Sequence, residues 1–277
     1  MTLSGREVAD LLARAQHRPR RSLGQHFVVD PNTVRRIARL SGVGPGDRVV
    51  EIGAGVGSLT LALLETGAEV TAVEIDRRLV PILRQVVEPG GARVVEGDAM
   101  ALDWAALLGA HRWALVANLP YNVATPLVAD VLDQVPAVTR LVVLVQREVG
   151  QRLAAGVGDP AYGAVSVKVA YWARARVVAK VPPAVFLPEP AVASALVAIE
   201  RRPAPAVDPA QVAPEELFRL VRAGFAQRRK MLRRSLAGLV DSGAFARAGV
   251  RPEARAEELD VVAWGTLAAA TRVAGAP

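Results

Sequence analysis

The chain has 277 residues, 52% of them hydrophobic, enough to bury a full α/β domain with a smaller appendage, which excludes a predominantly disordered protein. It contains no cysteine, which excludes disulfides, thiolate zinc sites, cysteine-ligated iron–sulfur clusters and covalent catalysis through a thiolate. The formal charge of +7 favours a polyanionic partner. Lysine occurs only at Lys168, Lys180 and Lys230, so nearly all the positive charge is arginine; this fits phosphate-binding forks and genomic base-composition bias equally.

In chain order, Ser4 and Glu7 have the spacing of a capping box ahead of Val8, Leu11 and Leu12, which predicts a short amphipathic helix. Arg6, Glu7 and Asp10 interrupt any apolar core there, so the segment does not read as a secretory signal. No apolar run reaches membrane-spanning length, and the expectation is a cytoplasmic protein with no membrane partner. A basic stretch, Arg18, Pro19, Arg20 and Arg21, leads into Gly24-Gln25-His26-Phe27. Asp30-Pro31 then reads as the N-cap and first turn of a helix running through Ile37.

From Arg48 onwards short β-branched runs alternate with helical stretches. Strands are predicted at 49–52, 70–73, 94–95, 113–117 and 141–145, and helices at 59–65, 79–86 and 126–132. That alternation predicts an α/β fold, a Rossmann-like doubly wound sheet. Further strands are expected at 167–171, 177–181 and 196–199, as antiparallel additions at the sheet edge. The proline-rich segment from Arg201 to Pro209 resists both helix and central strand, and the domain boundary is placed there. Residues 1–200, with a helical and basic N-terminal segment over 1–40, form the first domain. Residues 201–277, with Leu217, Val221, Phe225, Leu232, Leu236 and Leu239 at roughly helical spacing, form a small helical one.

Three strand ends carry chemistry. Glu51-Ile52-Gly53-Ala54-Gly55-Val56-Gly57 is a nucleotide-binding turn in which glycines let the backbone approach a ligand. Glu74, in Val73-Glu74-Ile75-Asp76, stands about twenty residues on, where a carboxylate accepts from two ribose hydroxyls. A dehydrogenase shares both features. Gly97-Asp98-Ala99 adds an acid suited to an adenine amino group, a triple that recurs in enzymes binding S-adenosylmethionine.

Asn118-Leu119-Pro120-Tyr121 follows the fourth strand. An adenine N6 lone pair is delocalised into its ring, so attack on a sulfonium methyl requires the nitrogen to pyramidalise, which acceptors for its two hydrogens stabilise. Asn118 offers a side-chain carbonyl, Leu119 a main-chain carbonyl held by Pro120, and Tyr121 an aromatic face for an extruded base. No strong general base and no metal are required.

These pieces, together with Gln146-Arg147-Glu148, Tyr162-Gly163, Val181-Pro182-Pro183 through Phe186 and Pro188, and Phe225 to Lys230, resemble the bacterial small-subunit ribosomal RNA adenine dimethyltransferase family over most of the chain. The resemblance implies S-adenosylmethionine as cofactor, with Gln25, His26, Val28, Gly53, Ala54, Gly55, Glu74, Ile75, Asp98, Ala99 and Asn118 around it. It implies Asn118, Leu119, Pro120, Tyr121 and Phe186 at the reacting base, with Tyr121 and Phe186 sandwiching it. Small-subunit ribosomal RNA within an immature small ribosomal subunit is the implied partner, met by a monomer. Arg20, Arg21, Arg222, Arg228, Arg229, Lys230, Arg233 and Arg234 are the expected RNA contacts, on a helical phosphate-tracking face. The sequence departs from the family's pattern at His26, where Asn is commoner, and at Ala193, where many members carry Asp before Ser194-Ala195. The alternatives are a large-subunit ribosomal RNA methyltransferase of the antibiotic-resistance kind, against which Gln227 to Lys230 argues, and an assembly factor without catalysis.

Overall fold

The computed structural model describes residues 2–20 and 23–272. The chain divides into two compact units, Met1–Gln151 with Arg176–Arg201, and Arg152–Ala175 with Arg202–Pro277.

The first unit begins with α1 (Gly5–Arg14), whose Ser4 and Glu7 make both halves of the expected capping box. β1 (Phe27–Val28) and α2 (Pro31–Ser41) follow, the Asp30 carboxylate capping α2 by accepting from the Asn32 and Thr33 amides. Then come β2 (Arg48–Ile52), α3 (Ser58–Leu64), β3 (Glu69–Glu74), α4 (Val80–Val87), β4 (Arg93–Glu96), α5 (Trp104–Leu108), β5 (Trp113–Asn118), α6 (Ala124–Gln134) and β6 (Val138–Gln146). α7 (Arg147–Ala154), α8 (Ala164–Trp172), β7 (Ala173–Val181), β8 (Phe186–Leu187) and β9 (Ser194–Arg201) complete the chain up to residue 201.

Seven strands form one sheet in the order β4-β3-β2-β5-β6-β9-β7. The pairs β2/β3, β3/β4, β2/β5 and β5/β6 are parallel, and β6/β9 is antiparallel, as expected for an edge addition. β2 and β6 carry near-continuous buried runs because helices cover both faces of a parallel sheet. Strand order reverses between β2 and β5, and such a reversal opens a crevice beyond the carboxyl ends of those two strands. The glycine-rich turn and the Asn118 segment leave the sheet at this crevice. A separate two-stranded pairing, β1 with β8, aligns Val28 with Phe186.

The second unit is helical: α8, then α9 (Pro214–Ala226), α10 (Leu232–Ser235), α11 (Ser242–Ala248) and α12 (Val261–Arg272). Its core holds Leu217, Phe218, Leu232, Leu236, Phe245, Trp264 and Leu267. Gly224 allows α9 close to α12, since a Cβ there would lie 2.6 Å from the Trp264 ring.

The strand expected at 167–171 is helical instead. Gly163 and Ser166 start α8, the Gly163 amide donating to Ser166 Oγ at 3.0 Å, and Tyr171 packs edge-on against Phe218 at 5.2 Å. Burial of Ser166, Val167, Val169 and Tyr171 on several faces removes the periodicity that would have marked a helix. The same packing places residues 152–175 with the helical unit, although the sequence assigns them to the first domain.

Candidate active site

The turn after β2 is held to β3 by backbone bonds from the Gly53 and Ala54 amides to the Val73 carbonyl, at 2.9 and 3.2 Å. Gly53 and Gly55 have φ of 72° and 61°, a region open to glycine, and a Cβ on Gly55 would meet the Phe27 ring at 2.9 Å. Glu74 closes this cradle. Its two oxygens accept from the Gly55 amide at 2.7 Å and the Asp76 amide at 2.8 Å. Burial pushes the Glu74 carboxyl up, against the pull of those two hydrogen bonds.

Two adjoining cavities fill the crevice. The first is lined by His26, Val28, Gly53, Ala54, Gly55, Glu74, Ile75 and Asn118, all expected at the cofactor, and also by Glu51 and Ser58, which were not. The second is lined by Asp98, Ala99 and Met100, with Leu23, Gly53, Ile75 and Pro120 shared between the two. Asp98 Oδ1 accepts from the Met100 amide at 2.9 Å. Ile75 and Met100 are exposed at 44% and 42%, unusual for large apolar side chains, and they give this cavity an apolar wall.

Gln25 lines the first cavity, but its side chain faces a brace. Its Oε1 accepts from the Arg20 amide and from His17 Nε2, both at 2.9 Å, and its Nε2 donates to Asp76 Oδ2 at 3.2 Å. His17 and Asp76 are both buried, with His17 Nδ1 3.7 Å from Asp76 Oδ2 and Arg20 Nε 3.9 Å from it. The brace ties the Gly24–Val28 wall of the cavity to the end of β3. Neither His17 nor Asp76 was expected at the site.

At the end of β5, Asn118 Nδ2 donates to the His26 carbonyl at 2.7 Å. This fixes the amide so that Oδ1 is its open acceptor. Leu119 is buried and anchored through its amide to the Leu144 carbonyl at 3.0 Å, and the Pro120 carbonyl starts α6 by accepting from the Val123 and Ala124 amides.

A third cavity is lined by His26, Tyr121, Asn122, Pro188, Glu189 and Pro190, so His26 borders both this space and the first cavity. Tyr121 Oη lies 3.3 Å from Ser194 Oγ; burial raises the phenol, against a weaker opposing effect of that contact. The ring over Tyr121 is His26, stacked at 5.2 Å between centroids and 28° between planes. His26 Nδ1 sits 2.7 Å from the Pro188 carbonyl, which can only accept, so Nδ1 carries the hydrogen. The expected sandwich of Tyr121 and Phe186 is not the arrangement found. Phe186 is 4% exposed and packs in the sheet core, because pairing with Val28 turns its side chain inward. At the other departure, the Ala193 carbonyl accepts from the Arg147 amide at 2.9 Å, a bond that needs no side chain at that position.

The basic residues divide. Arg228 pairs with Glu257 and donates to the Pro160 carbonyl at 2.9 Å, and Arg233 pairs with Glu253 at 3.2 Å. Arg222, Arg229, Lys230 and Arg234 are exposed. Residues 227–230 form the turn between α9 and α10, so the expected single helical face is interrupted. Arg21 lies outside the described residues. No helix among the described residues is long and apolar enough to cross a membrane.

A family model described as ribosomal RNA adenine dimethylase matches residues 16–270. Ribosomal RNA small subunit methyltransferase A of Kineococcus radiotolerans is 48% identical, over 99% of this chain and 95% of its own length. The protein of the same name from Cutibacterium acnes is also 48% identical, over 98% of this chain and 94% of its own. Of the solved structures, the 23S rRNA methyltransferase ErmE superposes with a TM-score of 0.70 at 25% identity, covering 89% of this chain and 99% of its own. A dimethyladenosine transferase from Plasmodium falciparum, 23% identical, shares the fold at the same TM-score of 0.70 over 86% of this chain and 94% of its own. With the family model spanning both units and near-full-length relatives at this identity, the chain belongs to the ribosomal RNA adenine dimethylase family.

Proposed function

We propose that the chain transfers methyl groups from S-adenosylmethionine to N6 of two adjacent adenines near the 3′ end of small-subunit ribosomal RNA, giving N6,N6-dimethyladenosine during ribosome biogenesis. The observation that carries this reading is the fixed amide of Asn118, whose Oδ1 stands open at the border of the cofactor crevice beside the anchored Leu119.

The residues present fit the cofactor: Gly53 and Gly55 line the cavity at positive φ, so bare backbone faces the ligand there, and the buried Ser58 hydroxyl on its wall has no hydrogen-bond partner among the described residues. When bound, S-adenosylmethionine supplies an electrophilic methyl on a positively charged sulfur. Glu74, with both oxygens fixed by backbone amides, accepts from the ribose hydroxyls, and the second oxygen of Asp98 accepts from the adenine amino group. His26, Val28, Gly53, Ala54, Gly55, Ile75 and Ala99 shape the walls. Gln25 acts through the His17–Asp76 brace and holds the loop in place.

For the target base, Asn118 Oδ1 and the Leu119 carbonyl accept the two amino hydrogens and stabilise the charge that develops on N6. Tyr121 supplies the stacking face, backed by His26, while Phe186 positions that wall through β1. Arg20, Arg222, Arg229, Lys230 and Arg234 contact RNA phosphates; these orient the substrate and do not identify its sequence. The small subunit is favoured over the large one because identity is 48% to the small-subunit enzyme of Kineococcus radiotolerans and 25% to ErmE. We infer that a cytoplasmic monomer meets its RNA in the immature small subunit.

The test is incubation of the protein with methyl-labelled S-adenosylmethionine and, in parallel reactions, unmethylated small subunits or large subunits, followed by nuclease digestion. N6,N6-dimethyladenosine from small-subunit RNA is the expected product. Label only in large-subunit RNA, or only monomethyladenosine, contradicts the proposal.

A further inference from the structure

The loop between β8 and β9, Leu187 to Ala193, walls the third cavity through Pro188, Glu189, Pro190 and Ala191, the same cavity that Tyr121 lines. Its outward side is apolar. Leu187 is 37% exposed and Val192 47%, and Pro188 and Ala191 are exposed between them. Alternation along β8 sends Leu187 to the face opposite the buried Phe186. Single exposed aliphatic side chains are ordinary, but two on one short loop that borders a substrate cavity mark an interaction surface.

Charge decides which part of an RNA this loop can meet. From Pro182 to Glu200 the chain has no lysine or arginine, and its only charged residues are Glu189 and Glu200. Glu189 is exposed in the cavity wall, where it repels a phosphate. The loop therefore has nothing to offer the RNA backbone and apolar surface to offer the bases. It is also held stiffly. At its start the Pro188 carbonyl accepts from His26 Nδ1 at 2.7 Å, and at its end the Ala193 carbonyl accepts from the Arg147 amide at 2.9 Å. Between these anchors, Pro188 and Pro190 restrict the backbone, and Pro190 is buried. A loop fixed in this way loses little conformational freedom when its side chains pack against a partner.

We propose that Leu187 and Val192 form an apolar wedge that enters the RNA stack as the target adenine leaves it, packing against the faces of the bases that flank the vacated position. The inference rests on the target-base reading of Tyr121 and adds to it a surface outside the base cavity. Extrusion of a base uncovers the faces of its two neighbours and loses their stacking, and apolar side chains placed in the gap restore part of that contact. The aromatic face of Tyr121 holds the base once it is out, while the wedge holds the gap open behind it. Its removal therefore acts on extrusion and leaves the chemistry at N6 alone.

The experiment uses the full-length protein and RNA comprising the 3′-terminal region of small-subunit ribosomal RNA, with 2-aminopurine in place of the target adenine. Fluorescence of that base rises when it leaves the stack, and the wild-type protein should raise it. The double variant Leu187→Ala, Val192→Ala should bind S-adenosylhomocysteine like the wild type, which shows the fold intact. It should nevertheless lower the extruded fraction about tenfold, the scale for losing several buried methyl and methylene groups. Leu187→Met, which keeps an apolar side chain of similar size, should retain most of the signal. On a short single-stranded oligonucleotide carrying adenine, with no stack to open, the methylation rates of double variant and wild type should converge to within about twofold. Equal fluorescence with the wild type and the double variant removes the wedge, as does a deficit on the single strand as large as on the structured RNA. A double variant that matches the wild type on protein-free RNA and fails on assembled small subunits assigns the loop to a ribosomal protein and also overturns the proposal. If the wild type leaves the fluorescence unchanged, the target-base reading of Tyr121 itself fails and takes the wedge with it.

Discussion

The cofactor crevice and the basic segment of the helical unit use charge in opposite ways. At the crevice, Glu74, Asp98 and Asn118 are oriented by backbone partners, so each points one defined group into a cavity. In the basic segment, Arg228 and Arg233 are held by Glu257 and Glu253, while Arg222, Arg229, Lys230 and Arg234 extend into solvent. A pre-oriented site concentrates its effect in single atoms, and one substitution removes it. A solvated phosphate-binding surface spreads its effect over several charges and shows it through salt.

The largest effect is expected where one oriented acceptor is removed. Asn118→Ala should lower kcat by about 100- to 1,000-fold, the scale for removing one oriented electrostatic stabiliser, while changing S-adenosylhomocysteine affinity much less. Equal losses in turnover and affinity would make Asn118 a cofactor ligand alone. At Tyr121, loss of stacking in Tyr121→Ala should reduce kcat/KM by about 5- to 150-fold, and Tyr121→Phe should stay near wild type because the Ser194 contact is long at 3.3 Å. Should the phenylalanine variant fall as far as the alanine one, the hydroxyl and not the ring face carries the role.

Gly55→Ala must place a methyl 2.9 Å from Phe27 at a φ of 61°. It should destabilise the protein by about 1–3 kcal/mol in urea unfolding and weaken cofactor binding in parallel. Full stability with normal binding would show that the cradle tolerates a side chain. The smallest effects per residue belong to the basic segment. Arg229, Lys230 and Arg234 replaced together by Ala should flatten the dependence of log affinity for RNA on log salt by about 0.7–0.9 for each phosphate no longer neutralised. Arg233→Ala, at a half-exposed pair, should leave that slope unchanged and cost less than about 1 kcal/mol of stability. A flatter slope in Arg233→Ala would erase the division between paired and solvated cations.

How far each region was legible in the sequence follows from the span of its contacts. Glu74 accepts from Gly55, nineteen residues away, through a turn and strand whose spacing is itself the signal. The parallel sheet showed itself through buried β-branched runs. The brace did not: Gln25 meets Asp76 across 51 residues, and nothing local marks His17 as its third member. Glu51 was visible as the acid opening the glycine turn, but its place on the cavity wall depends on which elements meet there. Phe186 followed the same rule, since pairing of two-residue strands decided which way its ring turns. In the basic segment, the acids that hold Arg228 and Arg233 lie 29 and 20 residues downstream, beyond the run of positive charge itself. In α8, burial on several faces hid the helical period.

A crystal structure with S-adenosylhomocysteine and an adenosine-containing oligonucleotide bound together bears most directly on the proposed chemistry. The purine should lie against Tyr121 with its N6 within hydrogen-bonding distance of Asn118 Oδ1 and the Leu119 carbonyl, in line with the cofactor sulfur. A purine seated elsewhere, or an Asn118 amide turned with Nδ2 towards N6, would contradict that chemistry.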